Sequence, residues 1–158
     1  VHRYAREIML PGLKKSEYER MVRVRMAAEL VKLGLLTQEE VDAAPENPLC
    51  VRKYFMHGTS HPIGLDVHDV GPADPVFAEN QVWTIEPGIY FIPALIDKSR
   101  SEGLYKGIVN YDKLDGYRDF GGIRIEDDVI VTDNGGVVVG GEKKIPVTVE
   151  ELEAVVGK

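Results

Sequence analysis

The sequence has one cysteine, Cys50, no clustered lysines or arginines, and no uninterrupted apolar run near the roughly 18 residues a membrane helix needs. A lone thiol excludes an internal disulfide and points to a reducing compartment, so a cytoplasmic protein is expected. With neither an apolar span nor a basic-then-apolar leader, no membrane partner is expected. Its 19 basic residues are outnumbered by 26 acidic ones, for a formal charge of −7. Nucleic acid is excluded as a partner because the chain offers a phosphate backbone no cationic footprint. The acid excess marks a solvated surface. At 158 residues and 44% hydrophobic content the chain can bury one ordinary core, and residues 1–158 read as a single domain. A start at Val1 rather than Met fits a processed chain or a piece of a longer one.

What is present divides into a helical first third and a strand-rich remainder. Tyr4, Ile8 and Ala5 share a helical face over residues 2–10, which Pro11-Gly12 stops. Ser16 and Glu19 form a capping-box pattern ahead of a helix with the stripe Tyr18, Met21, Val22, Val24, Ala28, Leu30, Val31 and Leu33. Gly34 is placed to cap its end. Thr37 and Glu40 predict a short helix that fails near Pro45, and Thr148 with Glu151 predicts another through Val156. Residues 81–92 (QVWTIEPGIYFI) and 122–132 (GIRIEDDVIVT) read as strands, with a third at Val137–Val139. The polar stretch 93–121 between the first two reads as a long functional loop. Helices, then strands, then one helix make an α+β fold with a mainly antiparallel sheet.

Three of the four histidines, His57, His61 and His68, fall within 12 residues (HGTSHPIGLDVH). Histidine is the commonest metal ligand and titrates near neutrality. His57 and His61 have the i, i+4 spacing of a zinc-protease helix, but no Glu follows His57, and Gly58 and Pro62 oppose a helix. The segment is strand or loop. Alternation along the two strands places Val82, Thr84 and Glu86 on one face and Arg124, Glu126 and Asp128 on another. If the strands pair, Glu86 and Glu126 meet, and two close carboxylates inside a fold need a cation to stay ionised. Pro87-Gly88 argues for a bulge that aims Glu86. One imidazole and two carboxylates with no thiolate favour Mn, Co, Fe or Zn in a mixed site.

At these residues the sequence resembles the aminopeptidase P and prolidase group of pita-bread metallopeptidases. The likeness runs from about Pro11 to the C-terminus and is carried by FMHGTSHPIGLDVHDVG (55–71), VWTIEPGIY (82–90) and GGIRIEDDVIVT (121–132), three motifs in order. The resemblance implies part of the creatinase/aminopeptidase fold, a curved antiparallel sheet with helices on one face. It also implies two divalent ions, manganese first and Co, Zn or Fe after it, held by two Asp, one His and two Glu. By position, His61, Glu86 and Glu126 are the ligands present. Glu86 would double as general base and Glu126 would bridge both ions. His57 and His68 would flank the substrate, while Tyr90 and Arg124 would orient the metal-bound carboxylates. The implied reaction is release of an N-terminal residue from a peptide with proline at the second position, by a Xaa-Pro aminopeptidase.

In that group the two Asp ligands lie upstream of the first helix, so the resemblance makes this chain the C-terminal part of such a catalytic domain. Asp42, in EEVDAAPENP, does not replace them. With three of five ligands, weak or no metal binding and little activity are expected of the chain alone, and exposed apolar surface should drive homo-oligomers. Two alternatives stay open. One is a prolidase-type dipeptidase, with the difference expected in 93–121. The other is a non-catalytic peptide- or protein-binding module of the same fold.

Overall fold

The computed structural model describes residues 1–103, 110–141 and 145–157. Helices α1 (His2–Glu7), α2 (Lys15–Lys32) and α3 (Gln38–Asp42) come first, followed by a 3₁₀ turn at Leu49–Lys53. Then come β1 (Val82–Ile85), β2 (Gly88–Tyr90), α4 (Pro93–Ser101), α5 (Tyr111–Asp115), β3 (Gly122–Arg124), β4 (Asp127–Thr132), β5 (Gly135–Val138) and α6 (Val149–Val156). Every strand pairing is antiparallel: one sheet runs β1-β4-β5 and a second pairs β2 with β3. This is the expected α+β class. Among the described residues no helix is long and apolar enough to cross a membrane.

Each of the two long strands expected from sequence is broken in the middle, and the breaks face each other. Pairing of β1 with β4 ends at Ile85 opposite Asp127, and pairing of β2 with β3 begins at Gly88 opposite Arg124. Glu86-Pro87 and Ile125-Glu126 form the step between the sheets. Pro87 has no N–H to give a ladder, which explains one side of the break. Both glutamates singled out by sequence lie on this step.

Helix α2 buries Tyr18, Val22, Met26 and Leu30, a strict i, i+4 row, with Glu19 and Ala27 beside it. Ala28 and Leu33, assigned to the buried stripe above, face solvent. Gly34 takes φ +66 and donates its N–H to the Val31 carbonyl, the left-handed turn that a helix end favours and a β-carbon penalises. The Ser16–Glu19 capping box does not form. Lys14 is the N-cap without a side-chain bond, and Asp74 instead accepts from the Ser16 N–H (2.8 Å) and hydroxyl (2.9 Å). By contrast Thr37 caps α3, and Thr148 with Glu151 makes a full capping box on α6.

In the stretch 93–121 the described residues carry two helices, α4 and α5, where a loop was expected. Pro93 starts α4 at its first turn, where its missing N–H costs nothing, and Asn110 caps α5 by accepting from Lys113 N–H. Near the sheet, Phe77 packs edge-on against Tyr18 (centroids 5.2 Å) and Trp83 (4.9 Å). All three rings are at most 2% exposed. They fix α2 against β1, the two elements between which the chain carries His57, His61 and His68.

Candidate metal centre

Residues 59–63 lie antiparallel along the free edge of β1. Glu86 N–H donates to the Thr59 carbonyl (2.8 Å), Thr84 N–H to His61 (3.0 Å) and Ile63 N–H to Val82 (3.1 Å). Pro62 stands opposite Trp83, a position where the ladder asks no N–H of it. The histidine segment is therefore strand-like, not helical, and its rungs set His61 beside the strand that ends in Glu86.

The three ligand candidates converge. One donor atom each from His61, Glu86 and Glu126 lie within 4.8 Å of one another, with Glu86 buried, His61 half-buried and Glu126 exposed. His61 Nδ1 donates to the Pro62 carbonyl at 3.0 Å, which leaves the lone pair on Nε2. That nitrogen is 3.3 Å from Oε1 of Glu86. A proton on Nε2 or a cation shared with the second carboxylate satisfies two such donors at this separation. One imidazole and two carboxylates without sulfur fit a divalent ion such as Mn, Co, Fe or Zn.

Glu86 is held on both oxygens. Oε1 accepts from the Thr84 hydroxyl (3.2 Å), and that same oxygen of Thr84 accepts the His61 N–H (3.0 Å). Oε2 accepts from Arg124 Nη1 (3.2 Å), whose Nε donates to the Tyr90 hydroxyl (2.7 Å). The Tyr90 bond, and then the nearby Glu86 and Glu126 charges, raise the Arg124 pKa further, so the guanidinium stays charged. Tyr90 reaches on to Nε2 of His57 at 2.7 Å, and His57 Nδ1 meets the Gly58 carbonyl at 2.8 Å. His57 is thus joined to the ligand cluster through Tyr90 and Arg124 and is not itself part of it. His68 packs against His61 with ring centroids 4.0 Å apart and the planes tilted by 34°, and it is exposed. Gly88 leaves room for this network: a β-carbon there would sit 2.4 Å from the Tyr90 hydroxyl.

Asp42 takes no part; it lies exposed on α3, accepting from Gln38 at 2.8 Å. Sequence reasoning missed Thr84 as the link between His61 and Glu86, although its place on the Glu86 face was the available signal. It also missed Glu19 and Thr59, discussed below. Glu126 opens onto a groove of about 1300 Å³ lined by Ile89, Ile123, Ile125, Val137 and Leu33, among others.

A model of metallopeptidase family M24 matches residues 1–133. The Xaa-Pro dipeptidase of Rattus norvegicus is 36% identical over 164 residues, covering 92% of this chain and 32% of that protein. A probable Xaa-Pro aminopeptidase of Emericella nidulans is 33% identical over 145 residues, covering 79% of this chain and 30% of its own length. Aminopeptidase P of Escherichia coli with the inhibitor Pro-Leu superposes with a TM-score of 0.69 at 32% identity, over 97% of this chain and 31% of that one. The zinc-substituted form of that enzyme with product gives 0.69 at 33% identity, with the same coverage of 97% and 31%. The chain spans about a third of the length of the relatives it matches.

Proposed function

The chain belongs to metallopeptidase family M24 and carries part of the pita-bread fold, and from this premise we propose that its protein is a metal-dependent exopeptidase releasing an N-terminal residue that precedes proline. The observation that supports this most directly is the convergence of His61, Glu86 and Glu126 within 4.8 Å. In this reading those three side chains hold divalent metal, manganese first. The metal supplies Lewis acidity toward the scissile carbonyl and a more acidic water at neutral pH.

The chain's own residues do the rest. Glu86 accepts the water proton as general base, with Thr84 and Arg124 fixing its two oxygens at 3.2 Å each. His68, packed against His61 and exposed to solvent, faces the substrate and assists proton transfer. His57 flanks the scissile region, its ring held by Tyr90 on one nitrogen and the Gly58 carbonyl on the other. A peptide with proline at the second position suits a site that asks no hydrogen bond of the amide nitrogen it cleaves.

Relatives named Xaa-Pro dipeptidase favour a second reading, cleavage of dipeptides only. One experiment separates the two. The full-length protein is stripped with a chelator, reloaded with Mn and offered an Xaa-Pro-Yaa tripeptide, an Xaa-Pro dipeptide and an Xaa-Ala control. Mn-restored turnover of the tripeptide supports the aminopeptidase, and turnover of the dipeptide alone supports the dipeptidase. Peptide binding with no chelator-sensitive turnover would leave a non-catalytic binding module.

A further inference from the structure

Helix α2 contributes nothing to the ligand set, yet it spends a buried carboxylate on the histidine segment. Glu19 is 9% exposed, and among the described residues its hydrogen bonds all come from one residue 40 positions away. Oε1 accepts the Thr59 N–H at 2.8 Å, while Oε2 accepts the same N–H at 3.0 Å and the Thr59 hydroxyl at 3.0 Å. The adjacent helix residue, Tyr18, bonds Ser60 through its hydroxyl at 3.1 Å. Two consecutive residues of α2 therefore grip two consecutive residues lying between His57 and His61.

The grip passes directly to the site. Thr59 presents its carbonyl to the Glu86 N–H at 2.8 Å, so the residue held by Glu19 also holds the backbone of a ligand candidate. Two positions on, His61 hangs from the same ladder through Thr84. Gly58 is shaped around the contact, since a β-carbon there would lie 3.2 Å from Glu19 Oε1. A carboxylate this buried, hydrogen-bonded by neutral donors and with the Arg23 charge one helical turn away, costs solvation that an apolar side chain would not. Simple packing does not call for it. A side chain long enough to reach both the amide and the hydroxyl of one residue does.

We propose that Glu19 is a positioning residue, which sets the His61–Glu86 separation by clamping Thr59 and thereby tunes metal affinity. This rests on the metal-site reading above. It acts through reach rather than charge, and two near-isosteric substitutions pull those apart. Glu19→Gln keeps an oxygen for the Thr59 N–H and an amide for its hydroxyl, but loses the charge. Glu19→Asp keeps the charge and falls one methylene short.

The test uses the metal-free full-length protein and reads two quantities besides activity. These are Mn affinity by calorimetric titration and the hydrogen-exchange rate of the Thr59 amide. Glu19→Gln should hold Mn within about threefold of wild type with Thr59 still protected, whereas Glu19→Asp should lose about tenfold in affinity as the Thr59 amide exchanges faster. Should Glu19→Asp fail to fold, Gly58→Ala, at an exposed position, presses on the same carboxylate and should produce the same loss. The reverse order, Asp tight and Gln weak, would overturn positioning by reach, as would wild-type affinity in a folded Asp or Gly58→Ala variant. Wild-type protein that takes up no Mn would sink the metal reading itself, and this proposal with it, a result distinct from any difference among variants.

Discussion

The Tyr90 hydroxyl stands 2.7 Å from Nε2 of His57 and 2.7 Å from Nε of Arg124, so one phenol oxygen joins the histidine segment to the guanidinium that holds Glu86. Arg124 can only donate, which leaves the phenol proton for His57 and makes Nε2 the acceptor. Tyr90→Phe breaks both bonds while Arg124 keeps Glu86. Turnover should fall about tenfold to a hundredfold, the worth of one or two such bonds, while bound metal stays near wild type. Steady-state kinetics alongside metal analysis checks it; metal lost in step with turnover would contradict this placement of Tyr90.

Gly88→Ala should reproduce that defect without touching a polar group. The new β-carbon, 2.4 Å from the Tyr90 hydroxyl and 2.8 Å from its ring carbon Cζ, forces the ring aside. Activity should drop at least as far as in Tyr90→Phe. Combining the two should add little, because both remove the same hydroxyl from its place. Fully additive losses in the double-mutant cycle would show that Gly88 acts elsewhere.

Much of this was legible in the residues, and each failure has its own physical cause. Thr37 and Thr148 cap helices as their local pattern foretold because nothing distant competes for them. Ser16 and Glu19 carry the same pattern and do not, since Asp74 and Thr59 claim them from 58 and 40 positions away. Local propensity yields to tertiary partners where those bury a charge or satisfy a helix end. The step between the sheets was half visible: Pro87-Gly88 announces one break, while Ile125-Glu126 contains no breaker and is bent by its partner strand. The stretch 93–121 misled because its polar composition hid Pro93 and Asn110, two good helix starters.

Asp74 makes stability depend on pH in a stated direction. Hydrogen bonds from the Ser16 N–H and hydroxyl hold its carboxyl below the ordinary aspartate range. A folded-state pKa lowered in this way adds stability above the unfolded value, and that stability is lost as pH falls through the folded one. Asp74→Ala should therefore denature at lower urea than wild type near neutral pH, with the gap closing under acid. A gap independent of pH would mean that the carboxylate is not what holds the start of α2.

His68→Ala should separate chemistry from binding. Its ring lies 4.0 Å from that of His61, yet no donor of His68 joins the cluster of three. Turnover should fall about a hundredfold or more, as expected for loss of a proton-transfer group, with metal content unchanged. Metal analysis of the purified variant decides; joint loss of metal would make His68 a ligand instead.

The most direct test is a calorimetric titration of Mn into the metal-free full-length protein, repeated for His61→Ala and Glu126→Ala. Each substitution should weaken binding by more than about a hundredfold, beyond what a supporting residue costs, with peptidase activity falling in parallel. Wild-type affinity in both variants would contradict the account, because the point where an imidazole and two carboxylates meet would then not be where the metal sits.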